Sequence, residues 1–182
     1  DILINNRVDK GRRGMEGNTE GPDFVGDFDT PEQRVGTFNR ERPWETCMTI
    51  CRQWAWKPND ELKSLSQCLQ ILLRTVGGDG NLLLNVGPMP DGQIEPRQVE
   101  RLREIGAWLK KYGDGVYGTR GGPFKPGSWG ASTCKDNKIY VFIFNWPQQG
   151  PLVLPPINQK VLAAVVRTGG DLKIEQTNTQ LA

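Results

Sequence analysis

Asn81-Leu82-Leu83-Leu84-Asn85-Val86 is a continuous apolar run held between Gly80 and Gly87-Pro88. A run without polar alternation reads as a strand covered on both faces, the pattern of a parallel sheet. Ahead of it the spacing predicts a helix: Ser64 and Gln67 fit a capping box, Leu65, Cys68, Leu69, Leu72 and Val76 recur at helical intervals, and Gly77-Gly78 ends it. Before that helix, Thr46-Cys47-Met48-Thr49-Ile50 reads as another short strand. After the run, a second helix is expected over residues 96–112. Pro96 suits its first turn, Val99, Leu102, Gly106 and Leu109 mark one face, and Lys110-Lys111 complement its carboxyl end. Strand, helix, strand, helix is the rhythm of a β/α barrel or a doubly wound sheet. Gly78-Asp79-Gly80 does not alter this, because it precedes a strand and so lacks the strand-to-helix turn that cradles a phosphate.

The composition then changes. Residues 118–130 are rich in glycine and proline, and beyond them no helix is predicted. Residues 138–146, 152–154 and 161–166 read as strands joined by proline and glycine turns, with a weaker one over 172–175. The expected organisation is an α/β unit over residues 1–117 and an incomplete all-β unit over 118–182. At the other end, Ile2-Leu3-Ile4-Asn5-Asn6 reads as a buried strand already in progress, its carboxyl end presenting polar groups and Arg7. The chain is therefore expected to be cut at both ends. Residues 8–25 carry glycines among charges with no period, an irregular excursion.

Chemistry concentrates in Gly26-Asp27-Phe28-Asp29-Thr30-Pro31-Glu32 and in Pro43-Trp44-Glu45-Thr46-Cys47. Carboxylates stand there beside Phe28, Trp44, Trp54 and Trp56, and apolar rings that exclude water make a general acid by raising its pKa. The same pattern fits a polar surface loop opening a helical turn, with proline just inside and an acid favoured by the dipole. Arg7 is placed to reach a ligand and equally fits an ordinary loop arginine. Trp54 is either a ligand-facing ring or a core filler.

Several function classes are excluded. The 182 residues carry a net charge of +2, from 23 basic and 21 acidic side chains, too little to hold a phosphate backbone over a long footprint, so no nucleic-acid partner is expected. The clusters Lys10-Gly11-Arg12-Arg13 and Arg101 to Lys111 read as a solvated loop and a solvated helix face. There is no histidine, which removes the usual general base and every Ser-His or Cys-His pair. Cys47, Cys51, Cys68 and Cys134 lack metal-binding spacing and read as free thiols, so no metal or cofactor is expected. No apolar run approaches the roughly 20 residues needed to span a bilayer, and no membrane partner is expected. Catalysis, where present, runs on carboxylates.

The order of these motifs resembles glycoside hydrolase family 29, the α-L-fucosidases. The likeness rests on Asn5-Asn6-Arg7 after a strand, the acidic stretch from Asp27 to Glu32, Pro43-Trp44-Glu45-Thr46-Cys47-Met48-Thr49-Ile50, and Gly80-Asn81-Leu82-Leu83-Leu84-Asn85-Val86-Gly87-Pro88. It continues through Asp91-Gly92, Trp108-Leu109-Lys110-Lys111-Tyr112-Gly113 and Val116-Tyr117-Gly118-Thr119, covering residues 1 to about 146. The resemblance implies the last strands and helices of a (β/α)8-like catalytic barrel, followed by a β-sandwich, and hydrolysis of terminal α-L-fucose with retention. Retention needs two carboxyl groups about 5 Å apart. The family's nucleophilic aspartate and substrate-binding histidines would lie upstream of residue 1, so the isolated chain is expected to be inactive and poorly stable. By position Glu32 resembles the acid/base, with Glu45 as the alternative. Arg7 resembles the arginine beside the sugar, and Trp54 the aromatic that packs on the fucose methyl group. Implied partners are a fucosylated glycan and the amino-terminal remainder of the same protein. The substrate class implies a secreted, periplasmic or lysosomal-type compartment. The rival reading is a non-catalytic carbohydrate-binding protein on the same fold. Linkage preference and oligomeric state are not legible in the sequence.

Overall fold

The computed structural model describes residues 2–8, 15–16 and 26–181. The basic cluster at residues 10–13 and most of the irregular excursion lie outside them. The element order is a 3-10 turn at Asn6–Val8, β1 (Glu45–Thr49), α1 (Leu65–Gly77), β2 (Asn81–Asn85), α2 (Pro96–Tyr112), a 3-10 turn at Gly113–Gly115, then β3 (Arg120–Gly121), β4 (Gly130–Lys135) and β5 (Lys138–Ile143).

β1 and β2 pair in parallel, from Glu45 opposite Asn81 to Thr49 opposite Asn85. The parallel arrangement continues on the other side of β1 through single bridges, Glu32 with Cys47 and Asp29 with Trp44, and then Asn5 with Phe28. Chain segments around Asn5, over 28–32, at β1 and at β2 therefore lie side by side in sequence order. That is the order in which a β/α barrel adds its strands. The expected strand over residues 2–6 is reduced to the bridge at Asn5, and Ile2 and Leu3 are 85% and 79% exposed, so this apolar run covers nothing among the described residues.

α1 begins as its sequence predicts. Ser64 Oγ accepts from the Gln67 N–H at 3.1 Å while the Ser64 N–H donates to Gln67 Oε1 at 2.7 Å, and the N–H of Gly78 closes the far end onto Arg74 and Thr75 carbonyls. Cys68 lies on the expected stripe and is buried, but so are Leu73, Thr75 and Gly77, which do not. The reason is that α1 is covered twice. One side meets the cluster of Ile50, Cys51 and Cys68 with Leu62, Leu84, Val86, Leu102 and Ile105. The other meets β4, where a Cβ on Gly77 would stand 2.9 Å from Ala131 Cβ. α2 supplies Leu102 and Ile105 to the core, whereas Gly106, expected on its packed face, has open space around it. β2 is less covered than expected, with Leu83 49% exposed.

Trp44, immediately before β1, is 1% exposed and lies flat against the chain entering β2. A Cβ at Gly80 would sit 2.5 Å from its ring, so only glycine permits that approach. Next to it, Asp79 turns the chain at φ 70° and accepts from Gly121 N at 2.5 Å and from Arg120 Nε at 2.9 Å, fixing β3 against the α1 to β2 turn.

β3, β4 and β5 form an antiparallel sheet with Arg120 opposite Cys134 and Gly130 opposite Ile143. β5 was expected to run to residue 146 and stops at Ile143; β4 lies partly within and partly after the glycine-rich stretch and carries no β-branched run that announces it. Residues 152–154, 161–166 and 172–175 do not form the predicted strands. Among the described residues the β pairing in this tail is limited to single bridges, Leu154 and Gln176 each to Leu181, while Arg167 ties it to Asp114 and to the Lys111 carbonyl. Leu162 and Val165 are 88% and 81% exposed, so their apolar character is not matched by a packing surface among the described residues.

Candidate active site

The parallel segments all present their carboxyl ends on one side, the side on which β/α proteins build sites. Asn6 begins the network there. It is 3% exposed, its N–H bonds the Phe28 carbonyl at 3.1 Å, and its side-chain amide donates to Asp29 Oδ1 at 2.6 Å. Thr30 Oγ1 donates to Asn6 Oδ1 at 3.0 Å. Buried Asn6, Asp29 and Thr30 therefore satisfy one another, as buried polar groups must.

Arg7 stands on that support. Its Nε donates to Thr30 Oγ1 at 2.8 Å and its NH1 to Glu32 Oε2 at 2.7 Å. Side-chain exposures of 32% and 23% leave the Arg7–Glu32 pair open to a ligand from one side. Glu32 is itself held by its backbone, its N–H on the Met15 carbonyl at 2.9 Å, and by the neighbouring bonds from Cys47 N to Pro31 O and from Gln33 N to Cys47 O.

Glu45 lies elsewhere on the same strand pair. It is the first residue of β1, opposite Asn81, whereas Glu32 stands opposite Cys47. About 13 Å of strand separates Glu45 from the carboxyl end at Thr49. Its N–H holds Asp29 O at 2.9 Å, and among the described residues its carboxylate has no hydrogen bond or ion pair. Cys47 lies between the two acids: burial pushes its thiol up, Arg7 opposes this, and Glu32 and Glu45 add to it. All four cysteines are free, with Cys51 and Cys68 in the core. Among the described residues no group of three or more metal-ligating side chains is assembled.

Trp54 follows the end of β1 on a bent segment instead of an extended one, and the residue is 38% exposed. Asp60, 6% exposed, shapes that segment by accepting from Gln53 N at 2.8 Å and Glu61 N at 2.9 Å, and the bond from Gln53 holds its carboxyl below the usual range. Lys63 Nζ ties the strand end down through Thr49 O at 2.6 Å and Cys51 O at 3.1 Å. The indole nitrogen of Trp56, two residues on, is buried. Arg7 and Glu32 are thus brought into contact, Trp54 follows β1 in the chain, and Glu45 lies two positions before Cys47, the residue opposite Glu32. Asp29 belongs to the acidic stretch that the sequence points to and Asn6 to the Asn-Asn-Arg triplet, but the support they give each other through Thr30, and the part of Asp60, had no signal in the sequence.

This arrangement, a partly exposed carboxylate in contact with a guanidinium, can bind hydroxyl groups and move a proton. The family model described as alpha-L-fucosidase matches residues 1–114. The chain is 36% identical over 126 residues to an alpha-L-fucosidase of Branchiostoma floridae, covering 63% of this chain and 27% of that one. It is 34% identical over 120 residues to the plasma alpha-L-fucosidase of Homo sapiens, covering 61% and 26%. Among solved structures it resembles alpha-L-fucosidase isoenzyme 1 from Paenibacillus thiaminolyticus, with a TM-score of 0.77, 30% identity, and coverage of 99% of this chain and 45% of that one. A GH29 alpha-L-fucosidase from Bacteroides thetaiotaomicron, trapped as a covalent intermediate with 2-fluoro-fucosyl fluoride, matches with a TM-score of 0.76, 25% identity, and coverage of 99% and 44%. The chain thus spans about a quarter of the length of these curated relatives and under half of the solved chains.

Proposed function

Because this chain belongs to the alpha-L-fucosidase family, its residues 1–114 matching that family's model, we propose that it forms the carboxyl-terminal part of a retaining exo-α-L-fucosidase acting on terminal fucose of glycans. Residues 1–117 supply the last strands and helices of the catalytic barrel and 118–182 the start of a β-sandwich. The remaining strands and the nucleophilic aspartate come from the portion of the family's barrel outside these residues. Glu32 is the acid/base. The observation that carries this reading is the Arg7–Glu32 contact at 2.7 Å at the carboxyl ends of the parallel segments.

In such a double displacement Glu32 protonates the leaving oxygen and then takes a proton from the attacking water. Arg7, fixed by Thr30, orients Glu32 and donates to a sugar hydroxyl. Trp54 packs on the methyl group that distinguishes fucose from galactose. The trapped covalent intermediate of the Bacteroides relative supports the retaining course. Glu45 fits the acid role less well, since it lies two positions before Cys47, the residue opposite Glu32, and makes no bond to Arg7 among the described residues. Secretion or delivery to a lysosomal-type compartment follows from the substrate, and the human relative is a plasma protein by name. Among the described residues no helix is long and apolar enough to cross a membrane.

The test is hydrolysis of a chromogenic α-L-fucoside by the full-length protein, with Glu32→Ala and Glu45→Ala beside the wild type and azide present. A leaving group that needs little protonation keeps glycosylation alive, so the acid/base variant is slow and is accelerated by azide. Rescue is expected for Glu32→Ala alone. Rescue of Glu45→Ala alone reassigns the acid, and an inactive wild type rejects the enzymatic reading.

A further inference from the structure

The chain leaving β2 runs directly beneath the segment that carries Trp54. Asn85 Nδ2 donates to the Trp54 carbonyl at 3.0 Å. Two residues later, a Cβ on Gly87 would stand 2.5 Å from Trp56 N and 2.8 Å from the Ala55 carbonyl carbon, so the two main chains touch at a separation that glycine alone allows. Gly87 is anchored in turn: its N–H donates at 3.3 Å to Oε1 of Gln98, a residue of the first turn of α2 that is 2% exposed. On the amino side of Trp54, Gln53 N is held by Asp60, whose carbonyl receives Arg97 NH1 at 3.3 Å.

The backbone is thus gripped at Gln53, at Trp54 and at Ala55–Trp56, while Trp54 as a whole stays 38% exposed. A main chain already held under an exposed ring removes the backbone share of the ordering entropy lost on binding. We propose that Asn85 and Gly87 are positioning residues that set the height of the Trp54 wall and, through it, the preference for a 6-deoxy sugar. This rests on the fucosidase reading above. With the segment seated, the ring closes on a methyl group and leaves no partner for a hydroxymethyl. Once it lifts, a hydroxymethyl is admitted and the methyl contact is lost.

The experiment measures kcat and KM of the full-length protein on 4-nitrophenyl α-L-fucoside and on 4-nitrophenyl α-L-galactoside, which differ by that hydroxyl. Asn85→Ala and Gly87→Ala are each expected to raise the fucoside KM about fivefold, with kcat changed less than about twofold, and to cut the fucoside preference about tenfold. Gly106→Ala, on the open face of α2, leaves all three values unchanged. In a Trp54→Ala background, Asn85→Ala is expected to add less than about twofold, because its effect runs through that ring. An Asn85→Ala variant with wild-type KM and preference overturns the proposal, and so does an equal loss with and without Trp54. A wild type inactive on both glycosides rejects the fucosidase reading itself; an active wild type with unselective positioning variants leaves that reading intact and supports this one.

Discussion

Arg7 and Glu32, 25 positions apart in sequence, meet at 2.7 Å through NH1 and Oε2, and the Arg7 Nε is committed to Thr30 Oγ1 at 2.8 Å. The two bonds leave from separate nitrogens of one rigid planar fork, a spacing that the single nitrogen of a lysine on its flexible stem does not reproduce.

Arg7→Lys is therefore expected to lower kcat/KM on a fucoside about 100-fold by leaving Glu32 unoriented. The pair is partly exposed and contributes at most about 1 kcal/mol to stability. The melting temperature should accordingly stay within about 3 °C of wild type. Kinetics beside thermal denaturation decide this, and a large melting shift with unchanged activity would make the pair structural only.

Asp79 joins the α1 to β2 turn to β3. Burial alone would raise its carboxyl, but the Arg120 side-chain bond and the Gly121 N–H overcome this and hold it below the usual range. A carboxyl depressed on folding adds stability above its unfolded value of about 3.9, and that stability is lost as the pH falls through the folded value. Asp79→Asn, which tolerates the positive φ, should cost about 1 to 2 kcal/mol at pH 7. The gap from wild type should narrow from about pH 5 downward and close once both states are protonated. Urea titrations across that range measure it, and a gap independent of pH would refute the charge argument.

Ser64→Ala removes the side-chain acceptor of the α1 capping box. About 1 kcal/mol should be lost, a fall of about 2 to 4 °C in melting temperature, with fucoside kinetics unaltered. Calorimetry reads the first and the chromogenic assay the second.

Gly80→Ala drives a methyl group into the Trp44 ring, which is buried and has nowhere to move. The cost should be about 2 to 3 kcal/mol, clearly more than Ser64→Ala. Gly106→Ala, in open space within α2, should instead stabilise by about 0.5 to 1 kcal/mol. Denaturant midpoints for the two alanines, moving in opposite directions, would check both.

What could be read from sequence follows how local each interaction is. Both helices were legible because their caps and periods lie within a few residues, as in Ser64 with Gln67 and Pro96 at the start of α2. β1 and β2 were legible because short apolar runs between glycine and proline have few other uses. The network of Asn6, Asp29 and Thr30 was not, because its bonds join residues 23 or 24 positions apart across a stretch with no period. In the tail the opposite error arose. Valine and leucine suit strands at residues 161–166, but a strand exists only where another edge pairs with it, and none does so among the described residues. The second buried side of α1 also escaped notice, since a single-stripe pattern cannot announce a helix covered twice.

That double coverage decides how freely the carboxyl-terminal sheet could be exchanged for another. Ala131 fits because Gly77 has no side chain, and Gly121 lies so close that a Cβ there would stand 2.9 Å from the Gly77 carbonyl oxygen. A replacement module grafted after Gly118 would have to reproduce this small-residue surface and supply a cation for Asp79. Without them α1 loses one of its two walls, and the damage passes to the cluster on its other side, where Ile50 and Cys51 follow β1 and Leu84 and Val86 come from β2 and its end.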